Sequence, residues 1–164
     1  MRILALALVT VDALVTCSRP RHPFEGPLAA VADSVLSSAV RVTCGRTPLA
    51  RGGKPDTSLE GADACTSSGD TTVVVYYDHT GRVLLVLREW MSDHPTDSVY
   101  LVLLASLKVR YGEPRQCQRK NDPRLPYHVY WNGPQYHPTL ATTTYGAVVL
   151  AYGLAPPVCD NAAA

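Results

Sequence analysis

Residues 71–78 and 82–90 are two β-branched, apolar runs separated by only His79-Thr80-Gly81. Strands joined so closely can pair only side by side and antiparallel, so this segment predicts a β-hairpin and commits the chain to an antiparallel sheet. Side chains alternate between faces along a strand, so Val73, Val75 and Tyr77 share one face of the first run, and Val83, Leu85 and Leu87 share one face of the second. These are the expected core positions. The rest of the chain must cover them.

Two segments supply that cover. Residues 27–40 read as a helix: Gly26-Pro27 suits its start, and Leu28, Val31, Ala32, Val35 and Ala39 form an apolar stripe at helical spacing. Residues 95–111 read as a second, with Thr96 and Asp97 at the start, Lys108 and Arg110 in the last turn, and Gly112 and Pro114 as the stop. Its centre, residues 99–105, is apolar on every face and is expected to lie buried between the sheet and the first helix. Residues 126–131, 136–144 and 147–152 read as three further strands, punctuated by Asn132-Gly133-Pro134 and Tyr145-Gly146. The expectation is an α+β fold: a mostly antiparallel five-stranded sheet (hairpin, helix, three-stranded meander) with two helices packed on one face. Residues 46–70, rich in Gly, Pro, Ser, Thr and Asp, are expected to form a long irregular connection. No internal repeat is evident.

At the N-terminus, Arg2 precedes an apolar run from Ile3 to Val11, and Leu14-Val15-Thr16-Cys17 follows. This is the layout of a secretory signal over residues 1–16. The stretch from Leu14 to Cys17 resembles the lipobox of bacterial lipoproteins, with Thr16 standing where such proteins usually carry Gly, Ala or Ser. The resemblance implies cleavage before Cys17, lipid attachment at Cys17 and a membrane as the first partner. Residues 17–26, with Pro20 and Pro23 among Arg19, Arg21 and His22, read as an extended, solvated tether. The chain then divides into signal (1–16), tether (17–26), one α+β domain (27–160) and a disordered tail (161–164). The expected location is the cell envelope, lipid-anchored, or else the periplasm or the medium.

Besides Cys17 there are four cysteines, Cys44, Cys65, Cys117 and Cys159. An even number in an exported chain reads as two disulfides, for which three connectivities exist. No pair has the spacing of a metal knuckle, so neither a metal nor another cofactor is expected. Strand directions in the expected meander favour Cys65 with Cys159 and, by elimination, Cys44 with Cys117. The local pairing, Cys44 with Cys65 and Cys117 with Cys159, stays open.

A formal net charge of +1, with scattered basic residues, gives no field for nucleic acid. The chain carries no nucleophile elbow, phosphate-cradling Gly loop, His-Glu-x-x-His or dinucleotide fingerprint. Asp78-His79 and Asp93-His94 read as turn or cap groups. The functional expectation is a non-catalytic exported domain that binds an envelope protein or a small ligand through the sheet face turned away from the helices. That face is expected to hold Val74, Tyr76, Leu84 and Val86, with Tyr76, His128 and Tyr130 as the contacts. Trp131, Val129 and Tyr127 are assigned to the core. The alternative is a small secreted hydrolase with His128 or His137 as the base.

Overall fold

A computed structural model describes residues 24–39, 41–46, 63–68, 71–91, 96–118 and 127–160. Cys17, the signal segment and the tail at 161–164 lie outside the described residues, as do Asp93 and His94. The elements run α1 (Ala29–Ser37), β1 (Arg41–Arg46), β2 (Asp63–Ser68), β3 (Thr71–Tyr77), β4 (Val83–Trp90), α2 (Thr96–Tyr111), β5 (Arg115–Gln118), β6 (Tyr127–Tyr130), β7 (His137–Thr142) and β8 (Val148–Gly153). All eight strands join one antiparallel sheet in the order β1-β2-β3-β4-β8-β7-β6-β5.

The sheet therefore has eight strands, not five. The five expected strands and both helices are present, and β1, β2 and β5 are the additions. Their sequences, Arg41-Val-Thr-Cys-Gly-Arg46, Asp63-Ala-Cys-Thr-Ser-Ser68 and Arg115-Gln-Cys-Gln118, are short and polar. They lack the apolar alternation that marks inner strands, since what β2 and β5 bury is small or polar, namely Ala64, Cys65, Ser67 and Cys117. The connection expected at 46–70 thus begins at the end of β1 and contains β2.

The element order helix–four strands occurs twice, and the strand order is palindromic about the β4–β8 pair. The crossover is α2, which carries the chain from β4 to the far edge; β5 to β8 then step back to the centre. A topological repeat is present without a repeated sequence motif, because strand pairing needs only compatible alternation.

Both helices lie on one side of the sheet. Leu28 and Ala32 of the α1 region pack on Val73, Val75, Tyr77, Val83 and Val86, and Leu107 of α2 packs with Trp131, Leu140, Val148 and Leu150. The cross-strand register places these sheet residues on a common face, running Val75↔Val86↔Tyr152↔Pro138 and Val73↔Arg88↔Leu150↔Leu140↔Val129. Val73, Val75 and Tyr77 are core as expected, but β4 departs from strict alternation. The β3–β4 register shifts between Tyr76 and Tyr77, whose partners are Leu85 and Val83, so Leu84 is an extra residue. One inserted residue exchanges the faces of everything beyond it. Val86 is therefore fully buried under the helices, while Leu85 and Leu87 lie half-buried on the far side.

The segment before α1 and the turns are tied to this frame. Phe24 packs edge-on against Tyr77 at 5.5 Å, and the Glu25 N–H donates to the Gly81 carbonyl while its own carbonyl accepts from Val83. At the hairpin, one Asp78 carboxylate oxygen accepts from the Thr80 N–H (2.9 Å), the Thr80 hydroxyl (2.6 Å) and the Arg82 N–H (3.1 Å). α2 ends at Gly112, whose φ of 82° suits a residue without a side chain and whose N–H donates to the Lys108 carbonyl. The buried Trp131 indole N–H donates to the Gly112 carbonyl at 2.8 Å, joining the helix end to the sheet. Trp131 is a core residue, as read from the sequence.

Two disulfides join Cys44 to Cys65 and Cys117 to Cys159. The pairing of Cys65 with Cys159 and Cys44 with Cys117 is thereby corrected. The strands β1 and β2, absent from the expected topology, set Cys44 directly opposite Cys65 with Cα atoms 4.0 Å apart. The segment after β8 doubles back to β5 instead of continuing beyond the sheet end, and the Asp160 N–H donates to the Gln118 carbonyl.

Candidate functional site

The far side of the sheet is organised by cross-strand rows. One row runs Cys117↔His128↔Ala141↔Val149 from the β5 edge inward. The next runs Arg115↔Tyr130↔Thr139↔Ala151↔Leu87↔Val74, and a third brings His137, Gly153, Leu85 and Tyr76 into line. Tyr76, His128 and Tyr130 thus share a face, as the alternation implied. They do not form one site: Tyr76 lies on β3 and the other two on β6, four strand intervals or roughly 19 Å apart.

His128 is also covered. It is 6% exposed, and Cys117, Ala141 and Val149 in its row are buried with it. The segment 154–160 leaves β8 and ends at β5, where Cys159, bonded to Cys117, stands beside the imidazole. Seven extended residues reach roughly 24 Å, ample for the roughly 14 Å across three strand intervals. The imidazole and the two sulfurs lie within 4.8 Å of one another. Because the sulfurs are bonded to each other, neither is a thiolate available to a metal. His137 Nδ1 lies 3.2 Å from the Asn132 side-chain oxygen. Toward β3 and β4, Val74, Tyr76, Leu85 and Leu87 on the far side are half-buried.

A second surface was not foreseen. α2 buries only one flank: Leu107 is buried, and Val99, Tyr100, Leu103, Leu104 and Tyr111 are partly so. The expectation of burial on every face is corrected, since Leu101, Val102 and Val109 are 59%, 69% and 90% exposed. Leu101, Ala105 and Val109 follow one another at i, i+4 and i+8 on one ridge, beside exposed Val102 and Ser106. From Ser98 to Leu107 the helix carries no charged residue. The signal was visible in the sequence as an all-round apolar helix. Burial and an unsatisfied interface produce the same pattern, so periodicity alone could not separate them.

A third group lies between the helices. Tyr152 packs against both apolar clusters and edge-on against Tyr136 at 5.6 Å, and the Tyr111 hydroxyl donates to the Tyr136 hydroxyl at 3.3 Å. Gly133 makes room for this group, because a Cβ there would meet the Tyr136 carbonyl and lie 3.7 Å from the Tyr111 ring. Burial holds the Tyr152 phenol above its usual range; nearby Tyr136 adds to this, and the charges of Arg110 and Arg88 oppose it. Burial, followed by the hydrogen bond to Tyr136, also raises Tyr111. Asp78 is held below the usual carboxylate range, chiefly by the Thr80 hydroxyl, in keeping with a turn-forming role.

No helix among the described residues is long and apolar enough to cross a membrane. The chain matches no known protein family, curated protein or solved structure.

Proposed function

We propose that this chain is a non-catalytic, exported binding domain that engages a protein partner through the outer ridge of α2. The observation that carries the reading is the exposure of Leu101, Val102 and Val109 on the outer side of α2, a helix with no charged residue from Ser98 to Leu107. An apolar stripe left in water on a helix whose other flank is already anchored gains stability only by being covered, and contiguous patches of this kind mark interaction sites. Ala105 and Ser106 are small, so a partner element can approach the helix backbone closely. The two disulfides fit an oxidising, exported environment. Anchoring through an acylated Cys17, with residues 17–26 as tether, is the finer part of the proposal and rests on the lipobox resemblance. It would hold the domain at the envelope, where the partner is an envelope protein.

The experiment places the photo-crosslinking amino acid p-benzoylphenylalanine at Val102, at Val109 or, as a control, at exposed Thr144, in cells expressing the chain with its own leader. A discrete protein adduct is expected from positions 102 and 109 and not from 144. Leu101→Glu should abolish the adduct from 109 while leaving the circular dichroism spectrum unchanged. Absence of adducts from both α2 positions, or equal adducts from all three, refutes the reading.

A further inference from the structure

Arg88 lies on the helix side of the sheet, opposite Val73 and Leu150, which are both buried. A guanidinium cannot shed its charge to suit such surroundings, so it needs hydrogen-bond acceptors. Its Nε is buried and makes no hydrogen bond. Its charged carbon stands 4.8 Å from the centre of the Trp90 ring, a contact that favours the cation but accepts no N–H. The Lys108–Glu113 ion pair does not involve Arg88, and no carboxylate is shown paired with Arg88 among the described residues.

A second cation is close by. Arg110, in the last turn of α2, sits over the Tyr111 ring at 5.3 Å, and its charge acts on Tyr152 together with that of Arg88. Around them stand three phenols. Tyr136 accepts a hydrogen bond from Tyr111 and so keeps its own proton to donate, and the Tyr152 ring packs against Tyr136. Two fixed cations, protonated hydroxyls and an aromatic wall stand together with no carboxylate among them, and within this set the Arg88 Nε is buried without an acceptor.

We propose that the seam between α1 and α2, with Arg88 at its floor and Arg110 at its rim, binds an oxoanion, the carboxylate or phosphate of a small organic ligand. Arg88 supplies the charge-assisted contact through its planar donors, Arg110 attracts the anion from solvent, and the tyrosine hydroxyls complete its coordination. This site is separate from the outer ridge of α2, and either reading can fail alone.

The test titrates the intact, disulfide-bonded protein with sodium benzoate, phenyl phosphate and inorganic phosphate at constant ionic strength, read by calorimetry and by thermal shift. Saturable binding of benzoate or phenyl phosphate is expected. If inorganic phosphate binds as well as phenyl phosphate, the site is one for the anion itself; tighter binding of the phenyl compound assigns the aromatic wall to the ligand's body. Arg88→Gln should weaken binding at least tenfold. Arg110→Gln, at an exposed position that leaves the core untouched, should weaken it severalfold and settles the matter even if the first variant folds poorly. Absence of saturable binding to all three anions, or affinities unchanged in Arg110→Gln and Arg88→Gln, overturns the proposal.

Discussion

Replacing Cys117 and Cys159 together with alanine frees the segment that straps the far side of the sheet, and its cost follows from the loop the bridge closes. The two residues are 42 apart in sequence, for which restriction of the unfolded chain contributes about 3.9 kcal/mol. The Cys44–Cys65 bridge spans 21 and contributes about 3.3 kcal/mol on the same basis. The difference in loop length is small, but the strap adds to it. The Cys117–Cys159 bridge, together with the Asp160 N–H to the Gln118 carbonyl, holds the end of this segment beside His128, so its loss also loosens the surroundings of that residue. Against a total stability of about 5–15 kcal/mol for an ordinary domain, the double variant should remain folded but marginal. With a urea slope near 2 kcal/mol/M, the unfolding midpoint should fall by about 2 M, and the melting temperature by roughly 8–16 °C. Tryptophan fluorescence in urea measures the first, with the Cys44→Ala/Cys65→Ala variant as the companion. Thiol counting in denaturant tests the connectivity, because each double variant should retain one intact bridge and show no reactive thiol besides that of Cys17. Reactive Cys44 and Cys65 thiols in Cys117→Ala/Cys159→Ala would refute the pairing, and a midpoint change under about 0.5 M would refute the chain-restriction argument.

Two further outcomes follow from individual contacts. Trp131→Phe keeps an aromatic ring in the core but removes the donor to the Gly112 carbonyl, and should cost about 1–2 kcal/mol in urea unfolding; an unchanged midpoint would show that the helix end is not anchored there. For Asp78, the folded carboxyl titrates below its unfolded value, so its contribution is complete above the ordinary carboxyl range and is lost as pH falls through the folded pKa. Asp78→Asn should therefore narrow its stability deficit relative to the parent between pH 6 and pH 2.5, and a constant deficit would contradict the assignment.

The sequence by itself determined the elements whose burial leaves a periodic trace. The hairpin of β3 and β4, the three strands β6 to β8, both helices, the Asp78 turn and the inward Trp131 were all legible, because a half-buried strand must alternate and a helix must repeat near 3.6 residues. It also determined that the four downstream cysteines would pair among themselves. What it could not determine were features that leave no side-chain period. β1, β2 and β5 are polar strands stabilised by ladder hydrogen bonds to the strand that follows each in the chain, and backbone pairing writes nothing into side-chain pattern. The extra residue at Leu84, invisible in an unbroken apolar run, decided which side chains of β4 face the helices. The retreat of the last segment across the sheet decided the disulfide pairing and removed His128 from solvent, so a strand position read as a contact became part of the interior. The same tertiary arrangement left the outer ridge of α2 uncovered and brought Arg88, Arg110 and Tyr152 together from three elements. Apolar character records that a surface prefers to leave water; only the packed fold decides which surfaces have already done so.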